Sequence, residues 1–297
     1  MSLRACGQTR YRPAGQAKAT YGIDGCAITL PVLASLQVGP AAMTVWALRR
    51  KRRSLGALAG AAWLAAAGVT GSYLYSTLRG KFLVWARLLD DLHLHGDEDL
   101  LDVGCGRGAV LLGAARRLPE GRAVGADLWR RRDQTGNTRA AAERNAVAEG
   151  VADRVEFLDA DARALPLPDA SFDVVVSSLT IHNIPGADQR AQALREMVRV
   201  LRPGGRLRIV DVRAGRRYPD VLRAAGCTDI TVQPLDWRTW FGTPGDPLVL
   251  VAASKPHQST STNRVASCGP GPRRSRPCGA RLLDLAWTAW WAGIIAK

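Results

Sequence analysis

The run Leu100-Leu101-Asp102-Val103-Gly104-Cys105-Gly106-Arg107-Gly108 is a short apolar stretch that ends in three glycines at alternate positions, with a carboxylate two residues before the first. Glycines there let the chain turn tightly after a strand and bring backbone amides close to a ligand. The Ala-rich run 109–118 supplies a helix N-terminus behind them. Such a turn suits a nucleotide-type cofactor. Asp127 ends the next apolar run, Ala123-Val124-Gly125-Ala126, where an acid can accept the hydroxyls of a ribose. Farther on, Ser177-Ser178-Leu179-Thr180-Ile181-His182-Asn183 follows an apolar strand, on the carboxyl edge where open α/β sheets bind ligands. His182 there can take a proton from a hydroxyl, an amine or an acidic carbon; a purely structural histidine is the competing reading.

Spacing leaves two cofactors open, because Gly104-x-Gly106-x-x-Ala109 also fits the dinucleotide fingerprint. Asp102 tips the balance. A pyrophosphate in the turn would be repelled by an adjacent carboxylate, whereas a sulfonium ligand with a free amino group brings positive charge to it. S-adenosylmethionine is therefore the expected cofactor. An NAD(P)-dependent oxidoreductase and a non-catalytic membrane scaffold are the alternatives.

The elements that must position these residues alternate. Strands are expected at 100–103, 123–126, 155–158, 172–177 and 206–212, and helices at 109–118, 137–149, 189–200 and 219–225. Two further strands near 229–232 and 248–253 have no helix between them. This pattern reads as a doubly wound, Rossmann-like, mostly parallel sheet with an antiparallel edge strand. Thr135 or Asn137 is the expected cap of the helix that starts at 137. From 78 to 92, Leu78, Phe82, Trp85, Leu88, Leu89 and Leu92 recur at helical spacing and predict an amphipathic helix able to pack over the cofactor cleft.

Three segments in order, Leu101-Asp102-Val103-Gly104-Cys105-Gly106-Arg107-Gly108, Ser171-Phe172-Asp173-Val174-Val175 and Leu201-Arg202-Pro203-Gly204-Gly205-Arg206-Leu207, resemble those of class I S-adenosylmethionine-dependent methyltransferases. The resemblance is to the small-molecule branch that includes the quinone-biosynthesis C-methyltransferases, and it covers roughly residues 80–253. It implies that Asp102 and the turn of Gly104, Cys105, Gly106 and Gly108 hold the methionine part of the cofactor, and that Asp127 accepts both ribose hydroxyls. It further implies that Asp161 and Ala162 contact the adenine, with Asp159 as a competing choice, and that Leu128 and Trp129 flank the adenosine. Ser178 belongs to the same expected cofactor set. Trp237, Trp240 and Phe241 fall where such enzymes often build part of the acceptor pocket; covering the sheet edge is the equal alternative. The acceptor expected is a small molecule or lipid.

The flanks have a different character. Residues 26–48 and 55–75 are uncharged apolar segments long enough to cross a bilayer, separated by Arg49-Arg50-Lys51-Arg52-Arg53, with Tyr73 and Tyr75 as interfacial aromatics. Buried core helices of a soluble protein are the other reading. Of the formal net charge of +15, residues 1–87 carry +11 and residues 254–297 carry +6, while 88–253 carry −2. Basic excess beside apolar segments points to a membrane surface and not to nucleic acid. Arg130, Arg131 and Arg132 either meet an anionic acceptor or phospholipid headgroup, or form a solvated face. Six scattered cysteines without a CxxC pair indicate neither a metal site nor a disulfide framework.

The expected domains are a disordered tail over 1–25, membrane segments over 26–77, a methyltransferase domain over 78–253, and a low-complexity tail over 254–297 ending in a short apolar helix. A membrane location with the catalytic domain in the cytosol follows from the cofactor, although a cytosolic catalytic domain puts the 49–53 loop on the wrong side of the positive-inside preference.

Overall fold

The strand β1 (Asp99–Val103) is buried on both faces from Leu100 onward, as a central parallel strand must be, and it carries Asp102 inside along with its apolar residues. It pairs in parallel with β2 (Arg122–Asp127) and β4 (Phe172–Ser178), and β2 pairs in parallel with β3 (Val155–Asp159). β4 in turn pairs with β5 (Leu201–Val212). Two last strands, β6 (Thr228–Pro234) and β7 (Leu248–Ser254), complete a seven-stranded sheet of order β3-β2-β1-β4-β5-β7-β6. β7 is antiparallel to both β5 and β6. The antiparallel strand is thus not at the edge, as expected, but second from it. With no crossover helix after β6 among the described residues, β7 lies antiparallel between β5 and β6.

This computed structural model describes residues 18–212, 217–240 and 248–257, all within one unit that ends at Gln258. The expected C-terminal tail beyond 257 and Phe241 lie outside the described residues. Helices cover both faces of the sheet. On one face Leu111 and Leu112 of a helix over Ala109–Ala115 and Ala142 and Ala146 of one over Arg139–Glu149 pack with Trp85, Leu88 and Leu89. On the other, Leu194 and Met197 of Ala187–Val200 and Leu222 of Tyr218–Ala224 pack with Val175 and Leu207. The helix expected from 137 starts at Arg139, and neither Thr135 nor Asn137 caps it. Thr138, in extended conformation, accepts from the Ala141 amide through its side chain, which frees Asn137 for the site below.

In chain order the helices are α1 (Cys26–Arg49), α2 (Arg53–Tyr75), α3 (Lys81–Asp90), α4 (Ala109–Ala115), α5 (Arg139–Glu149), α6 (Ala187–Val200) and α7 (Tyr218–Ala224). α1 and α2 form an antiparallel hairpin tied by a hydrogen bond from Gln37 Nε2 to Thr70 Oγ1. Both are long and apolar enough to cross a membrane. Most of their large side chains face outward: Leu58 is 70% exposed and Val38 67%. Among the described residues, few of these side chains pack into a core. α2 passes through one π-helical turn, Ser76–Gly80, directly into α3. The π turn is shaped by its neighbour. A Cβ on Gly80 would sit 1.7 Å from the Arg238 carbonyl oxygen, so only glycine allows that approach.

Residues 18–25 are not the disordered tail expected from composition. Asn145 Oδ1 accepts from the Thr20 amide, the Tyr21 hydroxyl donates to Glu149, and the Gly25 amide donates to the Asp133 carbonyl. These partners are more than 100 residues away, and nothing in the local composition announces them.

Candidate functional site

The turn after β1 holds Gly104 at φ 77° and Gly106 at φ 52°. Neither position tolerates a side chain. A Cβ on Gly104 would lie 2.0 Å from Thr180 Oγ1, and one on Gly106 would lie 2.8 Å from Gln134 Oε1. The Gly104 amide donates to the Ala126 carbonyl and the Arg107 amide to Gln134 Oε1. Asp102, Gly104, Cys105, Gly106, Asp127, Leu128, Asp161, Ala162, Ser178 and His182 all line one cavity of about 800 Å³ at the carboxyl edge of the sheet, whereas Gly108, Trp129, Asp159, Trp237 and Trp240 do not. Gly108, at φ 85°, is instead the residue before α4 and turns the chain into that helix. Cys105 is buried, and burial pushes its thiol well above the usual range, so it is a packed small residue and no nucleophile.

Two acids face each other across this turn. Asp102 is almost fully buried, and its Oδ1 has no hydrogen-bond partner. Burial, and then the nearby charge of Asp127, push its carboxyl up to about 8, against one helix amide, Leu111. Asp127 is better served: Oδ2 accepts from the Gly106 amide at 2.8 Å, and Oδ1 accepts from the Trp129 amide and from Asn137 Nδ2. Burial still raises it above the ordinary carboxylate range. A buried carboxylate with an orphan oxygen fits the ammonium of a methionine moiety, and a carboxylate held by three donors at a strand end keeps lone pairs for two hydroxyls. The residues present fit S-adenosylmethionine.

Asp161 and Ala162 line the cavity, as does Leu128. Both oxygens of Asp161 are engaged by the Arg163 guanidinium, which holds the acid below its usual range. The competing Asp159 points elsewhere, accepting from the Trp129 indole and pairing with Arg139 at 3.6 Å; neither Asp159 nor Trp129 reaches the cavity wall. Ser178 accepts from the Trp85 indole at 2.9 Å, which fastens α3 over the site.

His182 sits in a short 3₁₀ turn, Ile181–Asn183, after β4. Its Nδ1 is hydrogen-bonded to Asp211, whose other oxygen accepts from the His182 amide at 3.0 Å and from the Tyr218 hydroxyl at 3.1 Å. Asp211 is fully buried near the end of β5. Sequence reasoning missed this residue. The signal was a lone acid in Ile209-Val210-Asp211-Val212, an otherwise apolar strand end.

A second set of missed residues closes the cavity from the hairpin side. Asp24 pairs with Lys81 at 2.7 Å, accepts from Thr77 Oγ1 and from Gln134 Nε2, and its carbonyl accepts from the Tyr73 hydroxyl. Through Gln134 this cluster reaches the Arg107 amide of the glycine turn. Trp237 and Trp240 do not line the cavity; Trp237 stacks on Tyr75 with ring centroids 5.4 Å apart.

Residues 101–209 match the family described as a methyltransferase domain. The chain is 37% identical over 135 residues to the ubiquinone/menaquinone biosynthesis C-methyltransferase of Hahella chejuensis, a match covering 44% of this chain and 50% of that protein. It is 39% identical over 127 residues to the 27-O-demethylrifamycin SV methyltransferase of Amycolatopsis mediterranei, covering 42% of each. The chain thus spans about half the length of the curated relatives it matches. A solved S-adenosylmethionine-dependent methyltransferase from Aquifex aeolicus superposes with a TM-score of 0.45 at 20% identity, over 57% of this chain and 88% of that one. Residues 101–209 of this chain thus match a methyltransferase domain, this part of the chain resembles the quinone-biosynthesis C-methyltransferases, and the glycine turn with its two acids fits S-adenosylmethionine as the cofactor.

Proposed function

We propose that the chain is a membrane-inserted methyltransferase, acting at the cytosolic face on a hydroxyl or an acidic carbon of an apolar small molecule or lipid. One observation carries this reading: Asp102, Asp127 and His182 open into the same cavity, whose wall also includes Tyr73 and Phe82 beside the hairpin. S-adenosylmethionine supplies an electrophilic methyl carbon on a sulfonium. Asp102 would hold its amino group, Asp127 its ribose hydroxyls, and Leu128 with Ala162 would bound the adenine. Displacement at that carbon needs no acid for the leaving thioether, so the chain's main work is alignment.

His182 supplies the proton acceptor. Asp211 bonded to Nδ1 fixes the tautomer that leaves Nε2 free to accept, and stabilises the imidazolium once the acceptor's proton has arrived. The similar ubiquinone/menaquinone C-methyltransferase supports an apolar acceptor. The exposed α1–α2 hairpin supports a bilayer around it, and a helix of this length spans about 35 Å.

Calorimetry on the full-length chain in detergent tests the cofactor assignment. Binding of S-adenosylmethionine and S-adenosylhomocysteine, with no binding of NAD, is expected; NAD alone would overturn it. In membranes supplied with methyl-labelled cofactor, His182→Ala should keep cofactor affinity and lower label incorporation into organic-soluble material by roughly 10²–10⁴-fold. Incorporation at the parent rate would remove His182 as the base.

A further inference from the structure

The base of the hairpin is ringed by side chains to which the methyl-transfer reading assigns no contact with the cofactor. On the α1 side, the amide of Gly25, the residue just before the helix, donates to Asp133. Arg130, Arg131 and Arg132 immediately precede Asp133, and together with Arg163 and Pro185 they surround a second depression of about 510 Å³. Arg132 is paired with Asp133 and Arg163 with Asp161. Arg130 and Arg131 have no carboxylate within ion-pair distance among the described residues, so the patch carries excess positive charge.

On the α2 side, the carbonyl of Trp240 accepts from Ser72, inside the last turn of α2, and from Ser76 just past it. That contact sets Trp240 beside the helix one turn in from its end. Trp237, 66% exposed, stacks on Tyr75, and Arg79 is exposed on the π turn between them and α3. Two loops far apart in sequence, 129–133 and 237–240, therefore converge at the level where both helices leave the domain. Exposed Trp237 and Trp240 with the half-buried Tyr75 at that level, and arginines without carboxylate partners at the same hairpin base, match the two groups that a bilayer interface selects: aromatic rings at headgroup depth and cations for lipid phosphates.

We propose that this collar docks the catalytic domain on an anionic lipid surface, with Arg130 and Arg131 on headgroup phosphates and Trp237 and Trp240 at the interface. This rests on the hairpin being membrane-inserted as proposed above. Docking there holds the cavity, which shares Gly25, Thr29, Arg130 and Arg132 with the collar region, close against the bilayer.

The test reconstitutes the full-length chain into nanodiscs of phosphatidylcholine alone and of phosphatidylcholine mixed with phosphatidylglycerol, and follows hydrogen exchange by peptide. The expected result is incorporation into both, with amides of 130–133 and 237–240 exchanging several-fold more slowly in the anionic discs. High ionic strength and Arg131→Glu, at an exposed position, should each abolish the difference at 130–133 while exchange in β1 and α4 stays unchanged. Incorporation into both lipids with identical exchange at the two loops would overturn the collar and leave the membrane reading standing. Failure to incorporate into either would overturn both.

Discussion

The cofactor-free fold disfavours a charge on Asp102. Its carboxyl is pushed up to about 8 by burial and by Asp127, so between about pH 4 and 8 the folded chain holds a proton there that the unfolded chain has lost. More protons on the folded side mean that stability falls as pH rises through this window, the reverse of a salt-bridged aspartate. Asp102→Asn should therefore raise the melting temperature of the cofactor-free chain at pH 8 and change it little at pH 4. The same variant should bind S-adenosylmethionine roughly tenfold to a hundredfold more weakly, the loss of a charge-assisted contact. At neutral pH the parent should release a proton on binding, seen as a buffer-dependent calorimetric enthalpy, and the variant should not. An affinity unchanged in Asp102→Asn would place the amino group elsewhere. Asp102, Asp127 and His182 were legible because each lies within a few residues of a glycine turn or a strand end. Asp211 and Gln134 were not, because their partners, His182 and Asp24, lie 29 and 110 residues away.

At the scale of elements, the order of strands and helices could be read from alternation, since apolar runs and their turns are local signals. The strap over residues 18–25 could not: its polar composition looks like a tail, and its order comes from what it meets. Asp24 is the joint. It neutralises Lys81, whose side chain is 10% exposed, and holds Gln134 against the glycine turn. Asp24→Ala leaves a buried ammonium unpaired, which costs about 3 kcal/mol or more, and also releases Gln134. Denaturation should show that loss, and cofactor affinity should fall with it. Asp24→Ala combined with Lys81→Met removes the stranded charge, so the pair should regain most of the stability without regaining affinity. Recovery of both together would mean that the strap stabilises the domain without shaping the turn.

For the whole molecule, on the membrane-inserted reading proposed above, the hairpin sets where the chemistry happens. Its two ends meet at the catalytic domain, since the Tyr73 hydroxyl near the end of α2 donates to the Asp24 carbonyl just before α1. The basic tip Arg49-Arg50-Lys51-Arg52-Arg53 is consequently at the far end, about 35 Å along the helices. Apolar length made the two segments visible in the sequence; that both ends converge on one domain was not, because it depends on contacts between residues 49 or more apart. A hairpin that spans the bilayer puts tip and catalytic domain on opposite sides. In that arrangement the tip would oppose the positive-inside preference, and exposed Arg79, Arg131 and Arg132 with half-buried Arg130 at the base would offset it once the domain has folded. Trypsin added to sealed vesicles with the catalytic domain outward should leave the tip intact, and should cut it only after detergent opens the vesicle. Cleavage of the tip in sealed vesicles would mean that the hairpin lies along one leaflet, with tip and cavity on the same face and the acceptor drawn from that leaflet alone.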